Sequence, residues 1–134
     1  MPYYIADSVY DKALLQIKDT AVQWRMLDDY SRSDNTAPTI EAATLARAVV
    51  DPVNDFTGPL SLTNPNRRYL TFLGDMTATV EKNSSVQNYH AALLDGAGNV
   101  LCVTKEDFAS PVVAGSSVMS GEFNIYLHDP EAPA

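Results

Sequence analysis

The chain has 134 residues, 46% of them hydrophobic, and its 17 Asp and Glu against 9 Lys and Arg give a formal net charge of −8. That length suits one domain with a real core, and a single cysteine excludes an intrachain disulfide. The acidic balance repels phosphate backbones, so direct nucleic-acid binding is disfavoured, and no stretch approaches the ~20 apolar residues of a membrane span.

The opening Met1-Pro2-Tyr3-Tyr4-Ile5 lacks the basic start and long apolar core of a signal peptide. Synthesis and retention in a cytosol are expected, unless the chain leaves as part of a larger particle. Residues 1–5 read as an N-terminal arm, aromatic and apolar, with no obvious place on a self-contained fold. Asp7 or Ser8 can then cap a helix over 7–19. Val9, Tyr10, Ala13, Leu14 and Ile17 form its apolar stripe, and Lys12, Gln16, Lys18 and Asp19 fall largely on the other side.

From residue 23 to 128 the chain reads as a β-rich body. Trp24, Met26 and Tyr30 favour a strand over 23–30. Residues 31–38 are a polar loop. The segment 39–48 is ambiguous: its alanines favour helix, while Thr44 and Val49-Val50 favour strand, so a short helix or turn passing into a strand is expected before Asp51-Pro52. Residues 51–66 carry Pro52, Pro59, Pro65 and Gly58. They read as a long irregular stretch with at most a short edge strand at 60–62, because proline forbids a central strand. Strands are expected over 68–73 and 77–82. The run His90-Ala91-Ala92-Leu93-Leu94, then Asp95-Gly96-Ala97-Gly98-Asn99, then Val100-Leu101-Cys102-Val103 is a β-hairpin, with Gly96 or Gly98 at a positive φ. Short strands follow at 111–113, 117–119 and 123–127, and residues 129–134 form a frayed tail. The fold class is therefore mainly β, a β-sandwich or barrel-like domain with one N-terminal amphipathic helix and no internal boundary.

The chemistry-bearing residues form no recognisable motif. His90 opens a strand and His128 closes one, where a hydrogen bond to backbone or water explains each. Cys102 sits among aliphatic strand residues and reads as a core thiol rather than a nucleophile. Asp28-Asp29 and the 95–99 turn offer oxygens to a cation, but the EF-hand spacing is absent and turn chemistry accounts for Asp95 and Asn99. No catalytic residue, metal ligand or cofactor site is expected. The seven tyrosines are scattered along the chain, which gives no stacking platform for sugars or bases.

The layout resembles a group of small virion structural proteins of tailed bacteriophages, the capsid decoration or cement type among them. Ile5-Ala6-Asp7-Ser8-Val9-Tyr10-Asp11-Lys12-Ala13-Leu14 is similar to the helix that opens those chains. Phe56-Thr57-Gly58-Pro59, Arg68-Tyr69-Leu70-Thr71, Thr77-Ala78-Thr79, His90-Ala91-Ala92-Leu93-Leu94-Asp95 and Ser120-Gly121-Glu122-Phe123-Asn124-Ile125 follow in the group's order, with a departure at Gln23 to Asp29. The resemblance implies a structural place in the virion after synthesis in the host bacterial cytoplasm, and no enzymatic activity. The first expectation is a decoration protein on the outside of the head, touching the major capsid protein or other virion proteins. It would self-associate, with a trimer favoured. A neck, tail or fibre-attachment protein, and a stand-alone carbohydrate-binding β module, are the alternatives. The expected protein contacts are Pro2, Tyr3, Tyr4 and Ile5 in the arm, and Phe56, Leu60 and Leu62 in the proline-bearing stretch.

Overall fold

The computed structural model describes residues 5–30, 36–63, 66–84, 89–106 and 112–128; at 62, 63, 66, 67, 106 and 128 it describes the backbone. The frayed tail expected at 129–134 lies outside the described residues.

Helix α1 spans Asp7–Thr20. Neither Asp7 nor Ser8 caps it. The cap is Ala6, in an extended conformation, whose carbonyl accepts from the N–H of Val9 at 2.9 Å and of Tyr10 at 3.3 Å. Asp7 instead sits in the first turn, where its charge meets the positive end of the helix dipole. The buried line is Tyr10 and Leu14, with Ile17 half-buried below them. Val9 and Ala13, expected in that line, face solvent. The helix is rotated so that Asp11 reaches Arg68, and this tilts the apolar stripe away from Val9.

The chain passes directly from α1 into β1, Ala21–Asp28, the strand expected at 23–30. Asp29, with φ of 50°, ends it. The ambiguous segment resolves into both of its alternatives. Helix α2 is Ala37–Ala43, with the Thr36 hydroxyl accepting from Thr39 N–H and a proline in the first turn. Strand β2 is Thr44–Val49. The predicted hairpin is β6, Tyr89–Asp95, and β7, Val100–Glu106. These strands make one antiparallel sheet in the order β2-β1-β6-β7.

A second sheet holds β3, Phe56–Thr63, then β4, Asn66–Phe72, and β9, Phe123–His128, in the order β3-β4-β9. The stretch 51–66 is therefore irregular only in part: half of it, residues 56–63, is an eight-residue edge strand. Pro59 is accommodated because β3 is an edge and carries a bulge at that point. Strands β5, Thr77–Thr79, and β8, Ser117–Met119, form a small ladder. The strand expected over 77–82 stops at Thr79 because Val80 and Glu81 leave β8 to bond Ser116 and Leu45 carbonyls. Val112 and Val113 are not in a strand: the Val112 N–H is taken by Tyr89 Oη and Ser84 Oγ, each at 3.1 Å.

The two larger sheets pack face to face like a sandwich around one core. Trp24, Met26, Leu45, Tyr89, Ala91 and Leu93 come from the first sheet, Phe56, Leu70 and Phe72 from the second, and Leu14 from α1. The first sheet is covered on its other face too, where Leu27, Ala92 and Leu94 meet Ile40 of α2. Strand β6 is thus buried on both faces, which explains its unbroken apolar run. Outside this layer Glu41 of α2 binds Arg25 at 2.8 Å and Arg47 at 2.7 Å, and Arg47 also binds Glu81 at 2.7 Å. Among the described residues no helix is long and apolar enough to cross a membrane.

Candidate contact surface

A bulge in β3 decides what the second sheet shows to solvent. Thr57 lies opposite Thr71, but the next pair is Leu60 with Tyr69, so β3 advances three residues while β4 advances two. In a regular strand Phe56 and Leu60 share a face. The extra residue at Gly58-Pro59 flips the register, and Leu60 leaves the face of Phe56 for that of Thr57. Gly58 has φ of 114°, and a Cβ there would stand 3.0 Å from the Tyr69 carbonyl oxygen, so the bulge needs glycine.

This separates two of the expected contacts. Phe56 is 5% exposed and packs its ring 5.5 Å from Phe72, in the core. It is corrected from a contact residue to a core residue. Leu60 is 41% exposed and does face outward. Leu62 pairs with Arg67 through the backbone, and its side chain lies outside the described residues. Pro2, Tyr3 and Tyr4 also lie outside them.

The register continues across the sheet. Leu60, Tyr69 and Tyr126 form one row, and Thr57, Thr71 and Asn124 form the next. Tyr69 and Tyr126, far apart in sequence, have ring centroids 5.7 Å apart at an interplanar angle of 38°. Tyr126 is 42% exposed. The rows are tied together. Thr71 Oγ1 donates to Asn124 Oδ1 at 2.6 Å, and Asn124 Nδ2 donates to Tyr126 Oη at 3.0 Å. Two scattered tyrosines thus become one rigid outward-facing pair, which linear spacing does not reveal.

A second exposed apolar feature begins the helix. Ile5, just before the Ala6 cap, is 37% exposed and Val9, in the first turn, 56%, and both follow the aromatic residues of the arm in sequence.

The titratable groups are placed as follows. Cys102 is opposite Leu93, packs against the inter-sheet core, and burial pushes its thiol up to about 11. His90 follows Tyr89 on β6 and so faces the other side of the sheet, where its ring meets Tyr30 edge-on at 5.6 Å. The two groups therefore lie on opposite faces and form no base–nucleophile pair. The His128 side chain lies outside the described residues. Asp95 is consumed by its turn, Oδ1 accepting from the N–H groups of Ala97 and Asn99 at 2.9 Å each. The Asn99 side chain adds a bond at 3.1 Å, and these donors hold the Asp95 carboxyl below its ordinary value, Asn99 foremost. A pocket of about 450 Å3 lies beside α2, with Asp28, Asp29, Tyr30, Thr39, Lys82 and Asn83 around an Ile40 floor. The Lys82 ammonium is already bonded to the Ala42 carbonyl. Among the described residues no group of three His, Cys, Asp or Glu side chains is placed to hold a metal ion.

Comparison with protein-family models, with curated proteins and with solved structures finds no match to this chain.

Proposed function

We propose that the chain is a structural component of a tailed-bacteriophage particle, a decoration protein bound to the outside of the head and self-associating there as a trimer. The likeness of its sequence to small virion proteins supplies the class. The observation that carries the contact is the start of α1: Ile5, ahead of the Ala6 cap, and Val9, in the first turn, are apolar and exposed, whereas Tyr10 and Leu14 of the helix are buried. An apolar pair left outside the core beside the arm is where a second partner would dock. Pro2, Tyr3 and Tyr4 precede Ile5 in the sequence and complete the proposed contact with the major capsid protein or a neighbouring copy. A stable interface takes about 800 Å2 per partner, so the helix start is one part of a larger footprint. The sheets beneath supply rigidity, and the net charge of −8 suits a solvent-facing shell.

The test is co-sedimentation of purified protein with capsids lacking decoration, together with native mass spectrometry of the free protein. Saturable binding that is lost on Val9→Asp or on deletion of residues 2–5, with the thermal midpoint nearly unchanged, is expected. Absence of binding to any particle, with only monomer at micromolar concentration, overturns the reading.

A further inference from the structure

We infer that β9 is the contact strand of a two-fold pairing between copies: its edge away from β4 runs antiparallel to β9 of a second copy, and the two β3-β4-β9 sheets become one. The contact goes beyond the proposed place on a head and uses other residues than the helix start. It stands or falls whether or not the chain binds a capsid.

The first argument is the edge itself. The two larger sheets have four edge strands, and three of them are blunted. β3 carries Pro59 and a bulge. β2 carries Arg47, and its Leu45 carbonyl already accepts from the Glu81 N–H at 2.6 Å. β7 ends in Lys105 and Glu106. Prolines, bulges, charges and covering segments are the usual devices against edge-to-edge pairing. β9, Phe123-Asn124-Ile125-Tyr126-Leu127-His128, contains no proline, glycine, acid, lysine or arginine, and its register with β4 is unbroken along its length. Among the described residues β4 is the one strand that pairs with it.

The second argument is an unfinished core. Phe123, Ile125 and Leu127 pack against the inter-sheet cluster, yet all three are only half-buried. Phe72 and Leu70, opposite Phe123 and Ile125 on β4, are fully buried. Burial therefore falls from the central strand to the edge, which is the side a further strand would cover.

The third argument selects the occupant. A chain with a net charge of −8 repels its own copies, so copies meet best where no charge faces its like. Residues opposite one another in an antiparallel ladder share a face, so a two-fold ladder of β9 with itself centres on a residue. Centring on Ile125 keeps the three inward residues together: Ile125 meets the partner's Ile125, and Phe123 meets the partner's Leu127. On the outer side Asn124 meets the partner's Tyr126, the pair that already shares a hydrogen bond within one chain at 3.0 Å. At the ladder's ends Glu122 comes opposite the partner's His128 and not opposite another acid. Such an interface is self-complementary and closes at two copies. A three-fold contact at the helix start would join these pairs into hexamers.

The experiment is sedimentation velocity of the full chain from about 5 μM to about 1 mM, a range suited to an interface below standard size, with amide hydrogen exchange read strand by strand. Even-numbered species are expected to grow with concentration, and exchange in β9 is expected to slow more than in β3. Tyr126→Lys and Asn124→Lys each place a charge in both copies on the outer side of the ladder, and each is expected to weaken association about tenfold or more. Leu60→Lys makes the same kind of change on the outer side of β3 and is expected to associate as the parent does. Thermal unfolding of the three variants shows that each is folded. The inference is overturned if the chain stays monomeric throughout, if trimers form without even-numbered species, if association survives both charged variants of β9, or if Leu60→Lys weakens it as much. It is equally overturned if β9 exchange slows only when capsids are added, because the edge then belongs to a capsid protein. Even-numbered association without capsid binding leaves this inference standing while the virion reading falls.

Discussion

Arg68 on β4 holds Asp11 on α1 through two parallel hydrogen bonds, Nε to Oδ1 at 2.7 Å and Nη2 to Oδ2 at 2.9 Å. The residues are 57 positions apart, and both side chains are half-buried. The fork matches a carboxylate in geometry as well as charge. It sets the rotation of α1 on the second sheet, which puts Tyr10 and Leu14 inside and leaves Val9 outside. A double-mutant cycle with Asp11→Asn and Arg68→Met should give a coupling energy of about 1 kcal/mol, read by urea unfolding. Additive effects of the two substitutions would show that the pair follows the docking of the helix rather than setting it.

Leu93 is fully buried between the sheets, beside Trp24 on β1 and Cys102 on β7. Leu93→Ala removes core contacts where rigid strands on both sides limit collapse. A loss of about 2–5 kcal/mol is expected by chemical denaturation. A variant as stable as the parent would mean that β6 is set in another register.

The glycines differ in a way that substitution can read. Gly98 has φ of 85° in the hairpin turn, but a Cβ there meets only Ala37 at 3.9 Å, so Gly98→Ala should cost about 1–2 kcal/mol of backbone strain. Gly74 combines φ of 73° with Gly121 backbone atoms 2.7 Å from its would-be Cβ, and Gly74→Ala should cost more. Gly96 has open space and no positive φ, so Gly96→Ala should stay within about 0.5 kcal/mol of the parent. Thermal unfolding of the three variants checks the order; Gly96→Ala as the worst of them would contradict the turn geometry.

Glu41 links α2 to β2, and its carboxyl is held below the ordinary glutamate value, by the Arg47 hydrogen bond first, with Arg25 adding. A carboxyl lowered in the folded state stabilises fully above its unfolded value of about 4.3, and that stabilisation is lost as pH falls through the folded value. The gap in thermal midpoint between the parent and Glu41→Gln should therefore be constant near neutrality and close as pH drops below the ordinary glutamate range. The pair is exposed, so the gap should be small and should shrink in high salt. A gap that widens in acid would reverse the assigned direction.

Cys102 is partly buried, and its thiol should react with a thiol reagent at pH 8 far more slowly in the folded chain than in the unfolded one, because burial disfavours the thiolate. Urea should accelerate the reaction along the unfolding curve. Rapid labelling in native buffer would place the sulfur outside the core.

Much of this architecture is local and so was written in the order of residues. The 95–99 turn follows from an aspartate, an asparagine and glycines whose hydrogen bonds span four positions. The helix over 7–19 follows from its periodicity, and β6 from an apolar run between turns. What the tertiary structure alone decided depends on register and on contacts between distant strands. Proline and glycine at 58–59 read as a break, yet on an edge strand they make a bulge, which keeps the strand and reverses its faces. That single extra residue sends Phe56 into the core and Leu60 to the surface. The tyrosine pair belongs to the same class: Tyr69 and Tyr126 meet because β9 returns to lie beside β4, and chain spacing carries no record of which strands become neighbours. The rotation of α1 was likewise outside the reach of periodicity, since Val9 and Tyr10 fit one stripe equally well until Arg68 takes Asp11. Local propensity therefore specified the elements, and long-range pairing chose which side chains each one shows to solvent.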